Sequence, residues 1–138
     1  MCIRDRSCTD GLLTVMDKLK VGQVIISNQK EENNNYKKFL EIIKQKNIKV
    51  HKVLAGNKIH IEKNIYFDIL WPTDKLITEN SINNNAIVCN FHYKNFSMLF
   101  TGDIEKVAEE QILNLYKSNM EILKTDILKV GHHRFKNI

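Results

Sequence analysis

The chain reads as an α/β domain, on three observations. Short runs rich in β-branched and aromatic residues, Phe96–Thr101 and Thr125–Val130 among them, have the length of strands and stop at a glycine or its neighbour. Other stretches, Ile104–Lys117 above all, repeat apolar residues at three- and four-residue spacing, the period of an amphipathic helix. The two kinds alternate along the chain, the order that lays helices against a partly parallel sheet. With 138 residues, 43% of them hydrophobic, one domain at most fits, and it has enough apolar residues for a core.

Taken in order, Leu12, Leu13, Val15, Met16 and Leu19 give helical spacing after Gly11, and Val21-Gly22 closes that helix before the strand Gln23–Ser27. Asn33 to Asn35 supply capping side chains for a second helix with Tyr36, Phe39, Leu40, Ile42 and Ile43 inward and lysines outward. Strands are expected at Lys49–Leu54, Lys58–Ile61 and Ile65–Leu70, with turns at Ala55–Asn57 and Glu62–Asn64. Trp71-Pro72 ends that set, because proline cannot donate to a ladder. Residues 73–84 are expected to be a polar loop. Ala86–Tyr93 and Phe96–Thr101 should form a hairpin about Lys94-Asn95, with the asparagine taking positive φ. The Ile104–Lys117 helix has Asp103 and Glu105 at its positive end and is expected to cover the strands ending at Thr101 and Val130.

Two strand ends carry the chemistry. Ser97–Asp103 is an apolar run, long enough for one buried strand, that stops at Gly102 and presents Asp103. Thr125–His133 repeats the arrangement, stopping at Gly131 and presenting His132 and His133. Parallel strands joined by a helix put their carboxyl ends on one side of the sheet, so Asp103 and the histidine pair are expected to converge. A carboxylate can bridge two divalent cations about 3.5–4 Å apart, and neutral imidazole binds zinc or manganese. Neighbouring residues on an extended strand point to opposite faces, so one histidine, not both, is expected to hold an ion. Two plainer readings compete: Asp103 as a helix cap, and the histidines as exposed residues at a strand end. His51, His60 and His92 lie within strand patterns and match no ligand spacing, so they are read as surface or structural histidines.

The ordered series Gly11-Leu-Leu, Asp68-Ile-Leu-Trp-Pro72, Asn83-Asn-Asn85, Thr101-Gly-Asp-Ile-Glu105 and Leu128-Lys-Val-Gly-His-His133 resembles the metallo-β-lactamase superfamily. Within it, the chain is similar to the hydrolase domain of ComEC-type DNA-uptake proteins and their stand-alone relatives. The resemblance implies a partial four-layer αβ/βα sandwich over residues 8–138, with a two-metal hydrolytic site binding zinc or manganese and acting on DNA. By the same resemblance Asp103 is the bridging carboxylate and His132 the terminal ligand. His133 orients substrate or water, and the two histidines could exchange roles. Asn83, Asn84 and Asn85 match a turn that borders the site and precedes a serine, which here is Ala86. Glu105 is expected to support the ligands or to act as a first-turn acid. The family's first motif, His-x-Asp-x-Asp-His or His-x-His-x-Asp-His, falls where this chain has Ser7 and Cys8. The first metal motif and the C-terminal elements are therefore expected to be absent.

Composition bears on both ends. Met1–Arg6 reads as the translation of a transposon sequencing adapter, so residues 1–7 are set aside as an artefact. All three arginines, Arg4, Arg6 and Arg134, lie near the ends of a chain otherwise rich in Lys, Asn and Ile. After the histidine pair the family pattern is Gly-Ser-Lys-Thr-Ser, whereas this chain has Arg134–Ile138, which a one-base insertion would produce. The net charge of +5 suits an acidic partner such as DNA, although scattered lysines also describe a solvated surface. Cys8 and Cys89 have neither disulfide-framework nor zinc-finger spacing. No run of 18 apolar residues occurs, so no membrane segment is expected within the chain. The function expected is thus a fragment of a metal-dependent phosphodiesterase or nuclease. The alternatives are a non-catalytic remnant or binding module, and a hydrolase of another ester or lactone. Open strand edges lead us to expect marginal stability.

Overall fold

The computed structural model describes residues 6–29 and 34–131. The adapter-like residues 1–5, Asn33 and the terminal segment from His132 to Ile138 lie outside the described residues. The fold is mixed α/β, as expected. Helix α1 (Arg6–Lys18) leads into β1 (Gln23–Ser27), α2 (Asn34–Gln45) and β2 (Lys49–Val53). Then come β3 (Lys58–Glu62), β4 (Ile65–Trp71), a single helical turn α3 (Ser81–Asn84), β5 (Val88–Tyr93) and β6 (Phe96–Phe100). Helix α4 (Lys106–Leu115), a 3-10 turn (Met120–Leu123) and β7 (Ile127–Lys129) complete the order.

β1 and β2 pair in parallel across α2, and the remaining strands form a sheet in the order β3-β4-β5-β6-β7. β3 to β6 are an antiparallel meander, and β7 returns through α4 to join β6 in parallel. The turn after β2 is tied to the second sheet, because the Ala55 N–H donates to the Pro72 carbonyl (2.7 Å) and Ile69 N–H to the Asn57 carbonyl (2.9 Å). Two apolar clusters hold the fold. Leu13, Met16, Phe39 and Ile48 join α1 and α2 to β1. Leu70, Trp71, Val88, Ile104, Ala108 and Ile112 join α4 to the centre of the five-stranded sheet. Each large aliphatic chain buried in this way contributes about 1.5–3 kcal/mol. Tyr116, at the end of α4, donates its hydroxyl to the Leu70 carbonyl (3.0 Å), and burial, then the Asp68 carboxylate, raises its pKa.

Five expectations need correction. Residues 73–84 are not a plain loop: Ile77 joins the core, and Ser81–Asn84 make a helical turn with Asn83 and Asn84 buried. The Asn84 carboxamide serves the backbone of Glu79 and Glu105, so polar composition there marks internal hydrogen bonding rather than exposure. In the β5–β6 turn the positive φ falls on Lys94 (53°), not on Asn95; the Lys94 N–H donates to the Asn64 carbonyl of the neighbouring turn (3.1 Å), which fixes that residue's orientation. The last helix starts at Lys106, two residues later than its apolar pattern, because Gly102–Glu105 form the turn that enters it. β7 is not buried: it is the outer strand of the sheet, with Ile127 and Leu128 48% and 52% exposed, and α4 covers β4 to β6 instead. The predicted helix in Leu12–Leu19 begins earlier, at Arg6, and so takes in Arg6 and Ser7.

Ala108 is fully buried against the sheet, so Ala108→Leu should overpack that contact and lower the urea unfolding free energy by about 1–3 kcal/mol. Leu113→Ala, on the exposed side of the same helix, should stay within about 0.5 kcal/mol. Cys89 in β5 gives a pH test. Burial pushes its thiol up to about 11, so the folded state favours the neutral form. That stabilisation is complete below the ordinary thiol range, about 8.5, and is lost as the pH rises through the raised value. In a Cys2→Ser/Cys8→Ser background, iodoacetamide labelling of Cys89 at pH 8 should run about a hundredfold or more below a free thiol and climb with pH. Labelling at the free rate would show the site to be open.

Candidate functional site

The strand directions bring three carboxyl ends to one edge. β4 and β6 both run antiparallel to β5, and β7 runs parallel to β6, so Trp71, Phe100 and Lys129 end on the same side. Directly beyond β6 the chain turns at Gly102 with φ 59°, a conformation that glycine adopts without strain. A Cβ there would lie 3.0 Å from the Ala86 Cβ and 3.2 Å from the Ile87 carbonyl, so the turn is pressed onto the start of β5. Asp103 follows and is only 6% exposed. Gly131, just past β7, packs on the same turn: a Cβ on it would be 2.5 Å from the Gly102 carbonyl oxygen and 3.3 Å from Asp103 Oδ1. The Thr101 hydroxyl, donating to the Lys129 carbonyl (3.2 Å), ties the two strand ends together. The strand that leads to the histidine pair therefore closes on Asp103. His132 and His133 themselves lie outside the described residues.

A carboxamide network holds this turn from behind. The fully buried Asn84 accepts the Glu105 N–H on Oδ1 (3.0 Å), and its Nδ2 donates to the Glu79 carbonyl (2.9 Å) and to the Glu105 carboxylate (3.4 Å). Asn80 donates to the other Glu105 oxygen from a left-handed conformation (φ 39°). The Trp71 indole N–H donates to the Asn84 carbonyl (2.7 Å), and Asn85 exchanges two hydrogen bonds with the Ile77 backbone, both 2.8 Å. Glu105 is the N-cap residue of α4, and Asp103 stands two residues ahead of it, so Asp103 does not occupy the cap position. Asn83 is 6% exposed. Asn84 and Glu105 thus support the turn that carries Asp103. Asn80, Asn85 and Trp71 belong to the same frame; Asn85 and Trp71 lie in the asparagine run and the Trp-Pro strand end, whereas nothing in the sequence singled out Asn80.

The remaining histidines sit apart from this edge. His92 Nε2 is 3.2 Å from Asp68, which Lys58 also pairs (3.1 Å), and the His92 ring stacks on Tyr66 at 4.6 Å. His51 bonds Gln23 (2.9 Å), and His60 packs on Tyr66 (5.7 Å). An apolar cavity of about 380 Å³ lies between α1, β1 and α2 and reaches Ile82, Ala86 and Ile87. Ala86 therefore separates that cavity from the Gly102 turn. Among the described residues no group of three His, Cys, Asp or Glu side chains is placed to hold a metal ion, and Asp103 by itself does not complete a coordination sphere. No helix among them is long and apolar enough to cross a membrane.

No protein-family model matches the chain, and no solved structure matches it. Among curated proteins it is similar to ComE operon protein 3 of Bacillus subtilis (strain 168), with 29% identity over 119 residues, 86% of this chain. The chain spans 14% of that relative's length.

Gly102→Ala should strain the turn and push on Ala86 and the Ile87 carbonyl, lowering stability by about 1–3 kcal/mol in chemical denaturation. Gly56→Ala is the reference, since its φ is also positive (90°) but nothing lies within 4 Å of its added methyl. The excess loss at Gly102 measures the close approach; equal losses would mean that backbone strain alone acts.

Proposed function

We propose that this chain is part of a hydrolase that cuts phosphodiester bonds in DNA, in the manner of ComEC-type uptake proteins. The observation that carries the reading is the buried Asp103 carboxylate on a glycine turn, with Gly131, the residue before His132, packed against it. In this reading Asp103 and His132 would hold divalent ions, zinc or manganese, and His133 would orient substrate or water. Two such ions, when bound, activate water and stabilise the leaving oxygen. The chain's own contribution is positional: the Asn84–Glu105 contacts hold the Asp103 turn, and the Thr101–Lys129 bond fixes the neighbouring strand end. The similarity to ComE operon protein 3 supports a role in DNA uptake and favours DNA over esters and lactones, between which a fold alone does not choose.

The test is made in a protein that carries this segment together with a complete first metal motif. Asp103→Ala should reduce manganese-dependent cleavage of single- and double-stranded DNA to background, because it removes the ligand shared by both ions. His92→Ala, whose ring meets Asp68 and Tyr66, should leave the rate within a few-fold. Full activity of Asp103→Ala, or two bound metals with both forms of DNA left uncut, would sink the reading.

A further inference from the structure

The charge of the chain is concentrated in one element pair. Between Asn34 and Val53, the span of α2 and β2, there are six lysines (Lys37, Lys38, Lys44, Lys46, Lys49 and Lys52) against the single acid Glu41, a net +5. That equals the net charge of all 138 residues, so the remaining fifteen basic and fifteen acidic side chains cancel. All six lysines are exposed, and no ion pair among the described residues uses any of them. Lys46 is otherwise occupied, donating to the Met16 (2.9 Å) and Asp17 carbonyls at the end of α1. Five lysines of this span are left without an ion pair or carbonyl partner among the described residues.

The arrangement has a length and a polarity. A 12-residue helix is about 18 Å long, with Lys37 and Lys38 in its first turn and Lys44 in its last. On β2, Lys49 and Lys52 are three residues apart and so point to opposite faces, and Lys52 lies across from Ile26 on the face that packs against α1 and α2. One strand of a nucleic acid has a phosphate about every 3.4 Å, so about five phosphates match this span. The inner side of α2 is committed, since Phe39 is buried and Ile42 and Ile43 pack into the core. Tyr36, the helix's one tyrosine, is half-buried and stacks on Phe39 at 5.8 Å. The surface thus offers charge without a stacking platform. An amphipathic membrane-binding helix inserts its apolar face, and here that face is already packed against α1 and β1.

We propose that the outer surface of α2, together with Lys52 of β2, docks a nucleic acid backbone through its phosphates, without reading the bases. The site is separate from the Asp103 edge, and docking there needs no metal. The test is fluorescence anisotropy of the 138-residue chain with a labelled 20-nucleotide mixed-sequence DNA, single- and double-stranded, in EDTA and at several salt concentrations. K37E/K38E/K52E should weaken binding at least about tenfold and flatten the salt slope by about 2–3. K106E/K117E/K124E makes the same change in net charge elsewhere and should stay within about threefold. Circular dichroism checks that both variants fold; if the first does not, K37A/K38A/K52A takes its place and should lose affinity in the same order. Equal losses in the two sets would reduce the effect to overall charge and overturn the proposal. So would wild-type binding weaker than about 100 µM at low salt. Co-sedimentation with phosphatidylserine vesicles while the DNA stays free would overturn it too, in favour of a lipid partner.

Discussion

The arrangement depends on one buried side chain, the carboxamide of Asn84. It has no access to water, and both of its polar atoms are used: Oδ1 accepts the Glu105 N–H at the start of α4, and Nδ2 donates to the Glu79 carbonyl and the Glu105 carboxylate. Its backbone carbonyl takes the Trp71 indole at the end of β4. A buried polar group left without a partner costs about 1–3 kcal/mol, so these bonds form together or the segment leaves the core. The end of β4, the 77–85 segment and the entry to α4 are therefore positioned as one piece. Asp103 inherits its place from that piece.

A second constraint is steric. Gly102 and Gly131 stand where the ends of β6 and β7 come into contact, and neither position has room for a side chain. The missing Cβ at Gly131 lets its backbone reach the Gly102 carbonyl and Asp103, and the one at Gly102 lets the turn sit on Ala86 and Ile87, so Asp103 and the residue preceding His132 meet without a loop between them. The same closeness connects this edge to the apolar cavity, since Ala86 lines the cavity on one side and faces Gly102 on the other. Packing in the α1–β1–α2 unit and the geometry of the Asp103 turn are thereby coupled through one methyl group.

The two proposed surfaces follow different physics. The Asp103 edge is a matter of buried hydrogen bonds and close contact, and it works by fixing a carboxylate. The α2–β2 surface is solvated lysine, and it acts over a Debye length, about 8 Å in physiological salt, with little need for fixed geometry. A protein that handles a polyanion can use both, one surface to retain the backbone and another to act on it. The chain's formal charge hides this division, because an overall +5 is the sum of one basic element pair and a neutral remainder.

The α/β class, the hairpin of β5 and β6 and the parallel return of β7 were legible in the sequence, because apolar periodicity and glycine stops are local properties that survive into the fold. The Gly-Asp and Gly-His-His strand ends marked the candidate site for the same reason. What the sequence could not disclose was long-range. Residues 73–84 look polar, and only the tertiary structure turns Asn84 and Asn85 inward, because buried backbone groups from Ile77, Glu79 and Glu105 need partners there. Ile127 and Leu128 look like core residues, and only the strand order leaves them on an edge. Local pattern determined which segments are helix and strand and which side chains could do chemistry. Tertiary packing decided which of them meet, since hydrogen-bond satisfaction and steric room are set by neighbours far away in the chain.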